Sequence, residues 1–206
     1  MKIALVFSGL PRMVARSSVS IKEKLMQHYD VDVYSIVWQA EEYLELPKFY
    51  NHKLFNAVPN LDFSPCGATK FNIHPHMYGI QRACRVFKEY TQANNLHYDF
   101  VIRTRTDITV HNHVQFERLD RNILYQANCH WPGWNCFDDN FLVCNPQKYF
   151  EIYEHLHDWY LSKHTVNTYD DIPEARWTAY LEETNNALRI LRHNMFDFSL
   201  TRFLST

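Results

Sequence analysis

The sequence predicts an α/β fold in which a mixed, mostly parallel sheet is flanked by helices. The first forty residues read as strand, loop, helix and strand, the unit that builds parallel sheets with right-handed crossovers. A further strand-like run, YDFVIRTRTDI, lies at 98–108, and two helical patterns follow it at 147–161 and 172–184. Strands interleaved with helices in this way favour a sheet covered by helices on its faces.

The opening unit is defined by two apolar runs and the segment between them. KIALVFSG at 2–9 ends in Ser-Gly, as expected for a buried parallel strand that enters a loop. RSSVSIKEKLMQHY at 16–29 places apolar residues near helical spacing, which predicts a helix. VDVYSIVWQ at 31–39 then predicts the second strand.

The remaining elements are predicted with less regular patterns. Residues 40–73 contain Pro47, Pro59, Pro65 and Gly67, which predict turns and short pieces. Apolar spacing then predicts a helix before the 98–108 strand. In chain order, the later predictions are a helix at 76–94, strands at 98–108, 122–128 and 139–146, helices at 147–161 and 172–184, and a strand or turn at 186–200.

Composition limits the class of protein. With 206 residues, 46% of them hydrophobic, the chain suits a single packed domain. The formal net charge of -2 argues against nucleic-acid binding driven by bulk electrostatics. Five cysteines without a CxxC pair predict reduced thiols, and no apolar stretch approaches the roughly eighteen residues of a membrane helix. We therefore expect a cytoplasmic protein without a membrane span.

The loop FSGLPR at 7–12 is the first candidate binding site. In open α/β sheets, ligands lie beyond the carboxyl ends of the strands. Ser8 and Gly9 are small enough for a ligand to approach the backbone, and Arg12 can bind a phosphate through two hydrogen bonds. The alternative is an ordinary β-to-α turn, and the loop lacks the GxxxxGK[ST] pattern of a P-loop.

The second candidate site is the charged end of the 98–108 strand. Alternate residues of a strand share a face, so Arg103, Arg105 and Asp107 are expected to point the same way. Asp107 is a suitable ligand for a hard cation, and the two arginines suit a diphosphate. The alternative is a surface strand in which these charges pair as neighbours.

A pair of carboxylates before the predicted strand at 139–146 is the third candidate site. Adjacent strand residues face opposite ways, so one of Asp138 and Asp139 is expected to point into a cleft. There it can accept a proton from a sugar hydroxyl. The alternative is a simple turn. Trp131 and Trp134, in the preceding loop, are candidates for stacking on a sugar or a base.

The twelve histidines are interpreted mainly as scattered surface residues. His74 and His76 are two positions apart, as are His111 and His113, and either pair is a possible metal site. The surface interpretation is favoured for both pairs. His193 becomes a site residue only if the carboxy-terminal segment returns to the cleft.

Five segments, in order, resemble a family of small glycosyltransferases: IALVFSGLPR, VDVYSIVW, YDFVIRTRTDI, DDNFLVCNP and IPEARWTAYL. Members occur in bacterial surface-polysaccharide clusters and in large DNA viruses of algae. The resemblance covers most of the chain. It implies a single GT-A domain, in which a Rossmann-like donor-binding half, roughly 1–110, joins an acceptor-binding half, 111–206. For a viral member, the compartment is the host cytoplasm.

The resemblance also implies a nucleotide-sugar donor, with Mn²⁺ or Mg²⁺ held by a DxD motif. The residues it implies for donor binding are Ser8, Gly9, Arg12, Trp38, Arg82, Arg103 and Arg105. The segment RTD at 105–107 stands in the DxD place, so Asp107 remains as the direct metal ligand, with His193 as an additional one. Arginines in that place can supply part of the charge neutralisation otherwise given by a metal.

The sequence therefore leads to the hypothesis of a glycosyltransferase. It would move a sugar from a nucleoside-diphosphate sugar, most commonly a UDP-sugar, to a hydroxyl of a glycan or glycoprotein. Asp138 or Asp139 would act as a base or orient the acceptor. Two alternatives stay open: a noncatalytic nucleotide- or sugar-binding domain of a larger protein, and a nucleotidyltransferase, which would ordinarily need paired metal-binding carboxylates.

Overall fold

The computed structural model of the protein describes residues 1–40, 42–66, 73–126, 140–163, 173–184, 190–192 and 198–200. The strands are β1 (Lys2–Gly9), β2 (Asp30–Trp38), β3 (His52–Val58), β4 (Phe100–Thr104), β5 (Ile108–Val110), β6 (Leu124–Gln126), β7 (Phe141–Cys144), β8 (Ile190–Arg192) and β9 (Phe198–Leu200). The helices are α1 (Val14–Ile21), α2 (Leu46–Phe49), α3 (Ile73–Ala93), α4 (Pro146–Tyr153), α5 (Leu156–Lys163) and α6 (Pro173–Thr184). A π-helical turn, Lys22–Met26, continues α1, and short 3₁₀ turns lie at Tyr43–Glu45, Ser64–Cys66 and Phe116–Arg118.

The described strands form a seven-stranded sheet in the order β3-β2-β1-β4-β7-β6-β8, with β5 and β9 paired separately. β7 is antiparallel to both of its neighbours, whereas the other pairs in the large sheet are parallel. The predicted α/β class, with a mixed and mostly parallel sheet flanked by helices, is therefore confirmed. The edge at which the parallel strands end is called the carboxyl edge below.

Alternation along the strands divides the core into two layers. In β1, Ile3, Leu5 and Phe7 pack on the side of α1 and α2, whereas Ala4 and Val6 pack on the side of α3 to α6. All five side chains are fully buried. A strand buried on both faces reads as a continuous apolar run, which explains the composition of KIALVFSG.

The same alternation determines where polar side chains at the strand ends point. Ser8 follows Val6 by two residues, and Arg103 follows Val101 by two, so both extend toward the α3 side of the sheet. Both are almost fully buried.

Several elements differ from the sequence predictions. β3 lies within the segment predicted to be irregular, because this edge strand is half-buried and its side chains show no clear apolar pattern. The helix predicted at 147–161 is two helices, α4 and α5. α4 ends where Arg85 Nε of α3 donates to the carbonyl oxygen of Glu154 at 2.9 Å. The strand predicted at 98–108 ends at Thr104, and Ile108 begins a separate pair with β9.

None of the helices in the described part of the chain is long and apolar enough to cross a membrane. The three cysteines that lie in the described ranges are free thiols. Cys66 is exposed, whereas Cys84 and Cys144 are buried. Burial raises the pKa of both buried thiols, so they behave as small apolar core residues.

Candidate functional site

Residues predicted to bind a donor meet at the carboxyl edge, around the ends of β1, β2 and β4. β1 is central to this group because it pairs in parallel with β2 on one side and with β4 on the other. The register places Phe7 opposite Thr104, so the first loop and the charged segment after β4 leave the sheet side by side. This edge is where open α/β sheets bind ligands.

A hydrogen bond joins the last residues of the two strands. Nε of Arg103 donates to the hydroxyl oxygen of Ser8 at 2.9 Å. This bond fixes the guanidinium beneath the first loop. Two residues that are 95 positions apart in the chain thus form one buried polar unit at the strand ends.

A second connection fixes the loop itself. The backbone N–H of Arg12 donates to Oγ1 of Thr106 at 2.8 Å, and the same hydroxyl donates to the carbonyl oxygen of Arg12 at 3.1 Å. Gly9 has a positive φ of 95°, a conformation that residues with a Cβ rarely adopt. Met13, with φ of 52°, then turns the chain into α1. The loop is therefore held in a single path by contacts with the segment after β4.

Arg105 and Asp107 form an ion pair with two parallel hydrogen bonds. Nε and one terminal nitrogen of Arg105 each donate to a different oxygen of Asp107 at 2.8 Å. The other terminal nitrogen donates to Oδ1 of Asn140, just before β7, at 3.2 Å. The Asp107 carboxylate is fully buried, and the Arg105 side chain is 20% exposed. All three nitrogens of Arg105 are thus engaged by the protein.

The guanidinium of Arg103, unlike that of Arg105, is not fully hydrogen-bonded. Arg103 is only 1% exposed, and its two terminal nitrogens are buried without a hydrogen-bond partner. The hydroxyl of Tyr149, on α4, is also buried without a partner. Burial raises the pKa of Tyr149, and the positive charge of Arg103 opposes that rise, so the two groups lie within electrostatic reach.

A buried charge without a partner is costly, on the order of several kcal/mol after relaxation. An ordered water, an ion or a polar ligand can complete the hydrogen bonds of such a group. Arg103 is therefore a candidate anion-binding position next to Ser8.

A small pocket opens beside this position, between β2 and α3. Gly9, Trp38 and Arg82, all of which the resemblance implies for donor binding, contribute to its lining. The indole of Trp38 stacks on the ring of Tyr78, with centroids 6.0 Å apart and planes at 25°. Nε of Arg82 is buried without a hydrogen-bond partner. The pocket thus combines an aromatic wall, a glycine with positive φ and a cation.

The RTD segment offers one carboxylate, that of Asp107, to a metal ion. Asp107 was expected to be the direct metal ligand, but Arg105 occupies both of its oxygens. In the described part of the chain, no three His, Cys, Asp or Glu side chains are arranged to hold a metal. In this arrangement the carboxylate of Asp107 is buried and engaged by a guanidinium, and His193, its expected partner in metal binding, lies outside the described residues.

Other predicted site residues lie outside the described residues: Asp138, Asp139, His193, Trp131 and Trp134. The described residues next to them in the chain show where these segments join the sheet. Asn140 bonds to Arg105, and β7 pairs with β4 so that Phe141 stands opposite Thr104. β8 ends at Arg192, which pairs with Gln126 at the carboxyl edge, three strand spacings or about 14 Å from β4.

The interpretation of the histidines as surface residues holds for one pair and fails for part of the other. His111 and His113 are exposed. His74, however, is 3% exposed, and its Nδ1 lies 3.3 Å from Nε2 of the equally buried His157. His74 faces inward because α3 begins at Ile73, earlier than predicted, and this places it against α5.

A larger cavity, of about 370 Å³, lies at the opposite edge of the sheet. Phe87 and Tyr98 contribute to its lining, together with Pro146 and Phe150. Among the predicted site residues that the structure describes, none lines this cavity. The carboxyl edge is nevertheless the better candidate, because the buried unpaired cation and the strand ends are there.

Sequence reasoning did not single out four residues that shape the site: Thr106, Asn140, Gly79 and Tyr149. Gly79 carried a signal, because the chain has only four glycines and one inside a helix is destabilising by about 1 kcal/mol relative to alanine. Thr106 and Asn140 adjoin predicted residues in the chain. Tyr149 carried no signal, since it reads as an ordinary core residue of an amphipathic helix.

A scan of protein-family models and a search of curated proteins find no match to this sequence.

Proposed function

We propose that the protein is a GT-A-type glycosyltransferase that binds a nucleoside-diphosphate sugar at the carboxyl edge. The observation that carries this proposal is the buried guanidinium of Arg103, which bonds to Ser8 and keeps two nitrogens without partners. A diphosphate is the ligand chemistry that a buried guanidinium beside a strand-end loop fits best.

Different residues of the carboxyl edge contact different parts of the donor in this proposal. In this proposal the nucleoside binds over the small pocket lined by Gly9, Trp38 and Arg82, because the pocket itself, at about 10 Å³, has room for about one water molecule. The diphosphate lies over Ser8 and Arg103. Arg12, whose backbone Thr106 holds in place, approaches the phosphates from the first loop.

The proposed reaction transfers one glycosyl group. The bond between C1 of the sugar and the β-phosphate oxygen breaks, and its electron pair stays on that oxygen. The acceptor hydroxyl oxygen forms the new bond to C1 and loses its proton to a base. Asp138 or Asp139 has that role if the reaction inverts the configuration at C1, and the acceptor is a glycan hydroxyl.

The second candidate function is a noncatalytic nucleotide- or sugar-binding domain. The Arg105–Asp107 ion pair favours it, because the carboxylate that the DxD position retains is engaged within the protein. Such a domain would bind the donor and leave its glycosidic bond intact.

Two measurements test the proposal. A thermal-shift screen of UDP- and GDP-sugars identifies the donor, since a ligand that binds only the folded state raises the melting temperature by mass action. Slow hydrolysis of that donor without an acceptor then separates an enzyme from a binding domain. We expect both a shift and hydrolysis. A shift without hydrolysis would favour the binding domain, and the absence of any shift would refute the nucleotide site.

A further inference from the structure

We propose that the diphosphate is bound at the carboxyl edge without a divalent cation, and that the guanidinium of Arg103 takes the cation's electrostatic place. This inference rests on the proposed function. It adds which group neutralises the leaving diphosphate, and it assigns different roles to the two arginines of the RTRTD segment.

The carboxylate of Asp107 is not open to a divalent cation in this structure. A divalent cation needs carboxylate lone pairs directed toward it. Both oxygens of Asp107 accept hydrogen bonds from Arg105 at 2.8 Å, and the carboxylate is fully buried. A cation at Asp107 would have to displace a guanidinium of the same sign from a bidentate pair, or lie next to it.

The guanidinium of Arg105 is held within the protein by Asp107 and Asn140. Asn140 holds its remaining terminal nitrogen at 3.2 Å, so the side chain is bound on both sides. The charge of Arg105 is cancelled by Asp107 at short range. Arg105 therefore acts as a positioning residue, which ties the segment after β4 to the start of β7.

The guanidinium of Arg103 lacks an ion-pair partner in the described part of the chain. It has the same charge as Arg105, but its terminal nitrogens have no partner and it is 1% exposed. Ser8 connects this guanidinium to the donor pocket, because Ser8 accepts its Nε and Gly9, the next residue, lines the pocket. Arg82 also has a buried Nε without a partner, but Arg103 is the more deeply buried of the two and has two unused terminal nitrogens.

The positive charge of Arg103 can stabilise the negative charge that develops on the leaving diphosphate. When the bond between C1 and the β-phosphate oxygen breaks, the oxygen keeps the electron pair and the diphosphate gains one negative charge. A fixed guanidinium in a site of low dielectric stabilises the charge without reorganisation, as a metal ion does in other sites. Its two free terminal nitrogens match two phosphate oxygens.

The test is calorimetric titration of the full chain with UDP, GDP and inorganic pyrophosphate, in EDTA and, for the two nucleotides, also in Mn²⁺. We expect at least one nucleotide to bind in EDTA with an affinity within about threefold of that in Mn²⁺. We expect Arg103→Met to weaken binding by about tenfold or more, the loss typical of a hydrogen bond to a charged group. The matched control is Arg121→Met, at an exposed arginine on the opposite edge of the sheet.

The possible results separate the two proposals. Binding that appears only with Mn²⁺ overturns metal independence and leaves the nucleotide site in place. Binding in EDTA that Arg103→Met does not weaken overturns the role of Arg103. The absence of binding by all three probes in EDTA and by both nucleotides in Mn²⁺ overturns the nucleotide site itself. If Arg103→Met fails to fold, the comparison of EDTA with Mn²⁺ for the unaltered chain still decides the question of the metal.

Discussion

Trp38 of β2 lies against Gly79 of α3, at a distance that leaves little room for a side chain on the glycine. A Cβ built on Gly79 would lie 3.2 Å from Nε1 of the indole and 3.6 Å from two of its carbons. The glycine therefore allows the helix to approach the aromatic wall of the small pocket over which the nucleoside is proposed to bind.

Enlarging Gly79 is expected to move the indole. Gly79→Val places a branched side chain where the contact is already close, and overpacking of this kind costs about 1–3 kcal/mol. We expect a lower free energy of unfolding in urea and weaker nucleotide binding. Gly79→Ala is the matched control, because the gain in helix propensity, about 1 kcal/mol, offsets the small displacement. Equal stability of the valine variant would show that the indole moves freely.

Arg103→Met is expected to stabilise the protein while it weakens anion binding. Replacing a buried charge that has unused donors by an apolar chain of similar length removes its desolvation cost, for a gain of about 1 kcal/mol or more. The measurement is the free energy of unfolding in urea, without ligand. A substantial loss of stability would indicate that Arg103 serves the fold and not a ligand.

Asp107→Asn is expected to destabilise the fold even without a metal or a ligand. The change leaves the Arg105 guanidinium without its counter-charge in a mostly buried position, which costs about 2–4 kcal/mol. Asp158→Asn is the matched control. Asp158 is half-exposed and pairs with Arg85, so its loss should cost no more than about 1 kcal/mol. Equal effects in urea unfolding would contradict the structural role of Asp107.

The buried histidine pair predicts a loss of stability in mild acid. Burial, together with the charge of nearby His74, lowers the pKa of His157 from 6.5 to about 4. Because this pKa is depressed in the folded state, the unfolded chain binds more protons between these values. Stability is therefore complete above about pH 6.5 and is lost as the pH falls toward 4, by on the order of 3 kcal/mol.

The measurement is urea unfolding from pH 7.5 to pH 4.5 for the unaltered chain and for His157→Gln. We expect the variant to show a shallower fall in the free energy of unfolding. Parallel curves would mean that other groups carry the acid sensitivity. His97→Gln, at an exposed histidine, controls for the loss of a histidine elsewhere.

The sequence predicted two central strands of the sheet and the edge at which the candidate site lies. KIALVFSG and YDFVIR are apolar on both faces, and only strands in the middle of a covered sheet need that pattern. Because such strands are parallel neighbours, Ser8 and Arg103 end at the same edge, and the hydrogen bond between them follows from their register.

The details of the charged segment could not be predicted, because they depend on where the strand stops. Alternation places Arg103, Arg105 and Asp107 on one face only while the chain stays extended. β4 ends at Thr104, so Arg105 and Asp107 turn toward each other and form their own pair. β3 was missed for a different reason: an edge strand needs little apolar surface, and its pattern is weak.

β6 and β7 are adjacent and antiparallel, with Gln126 opposite Leu142, and about two to five residues suffice to join strands placed in this way. The chain instead uses residues 127–140 for the connection, and both attachment points lie at the carboxyl edge. Closure of the hairpin does not require that length. Exchanging this segment for a short turn is therefore expected to preserve the sheet, and exchanging it for a segment of different composition offers a way to retarget the edge.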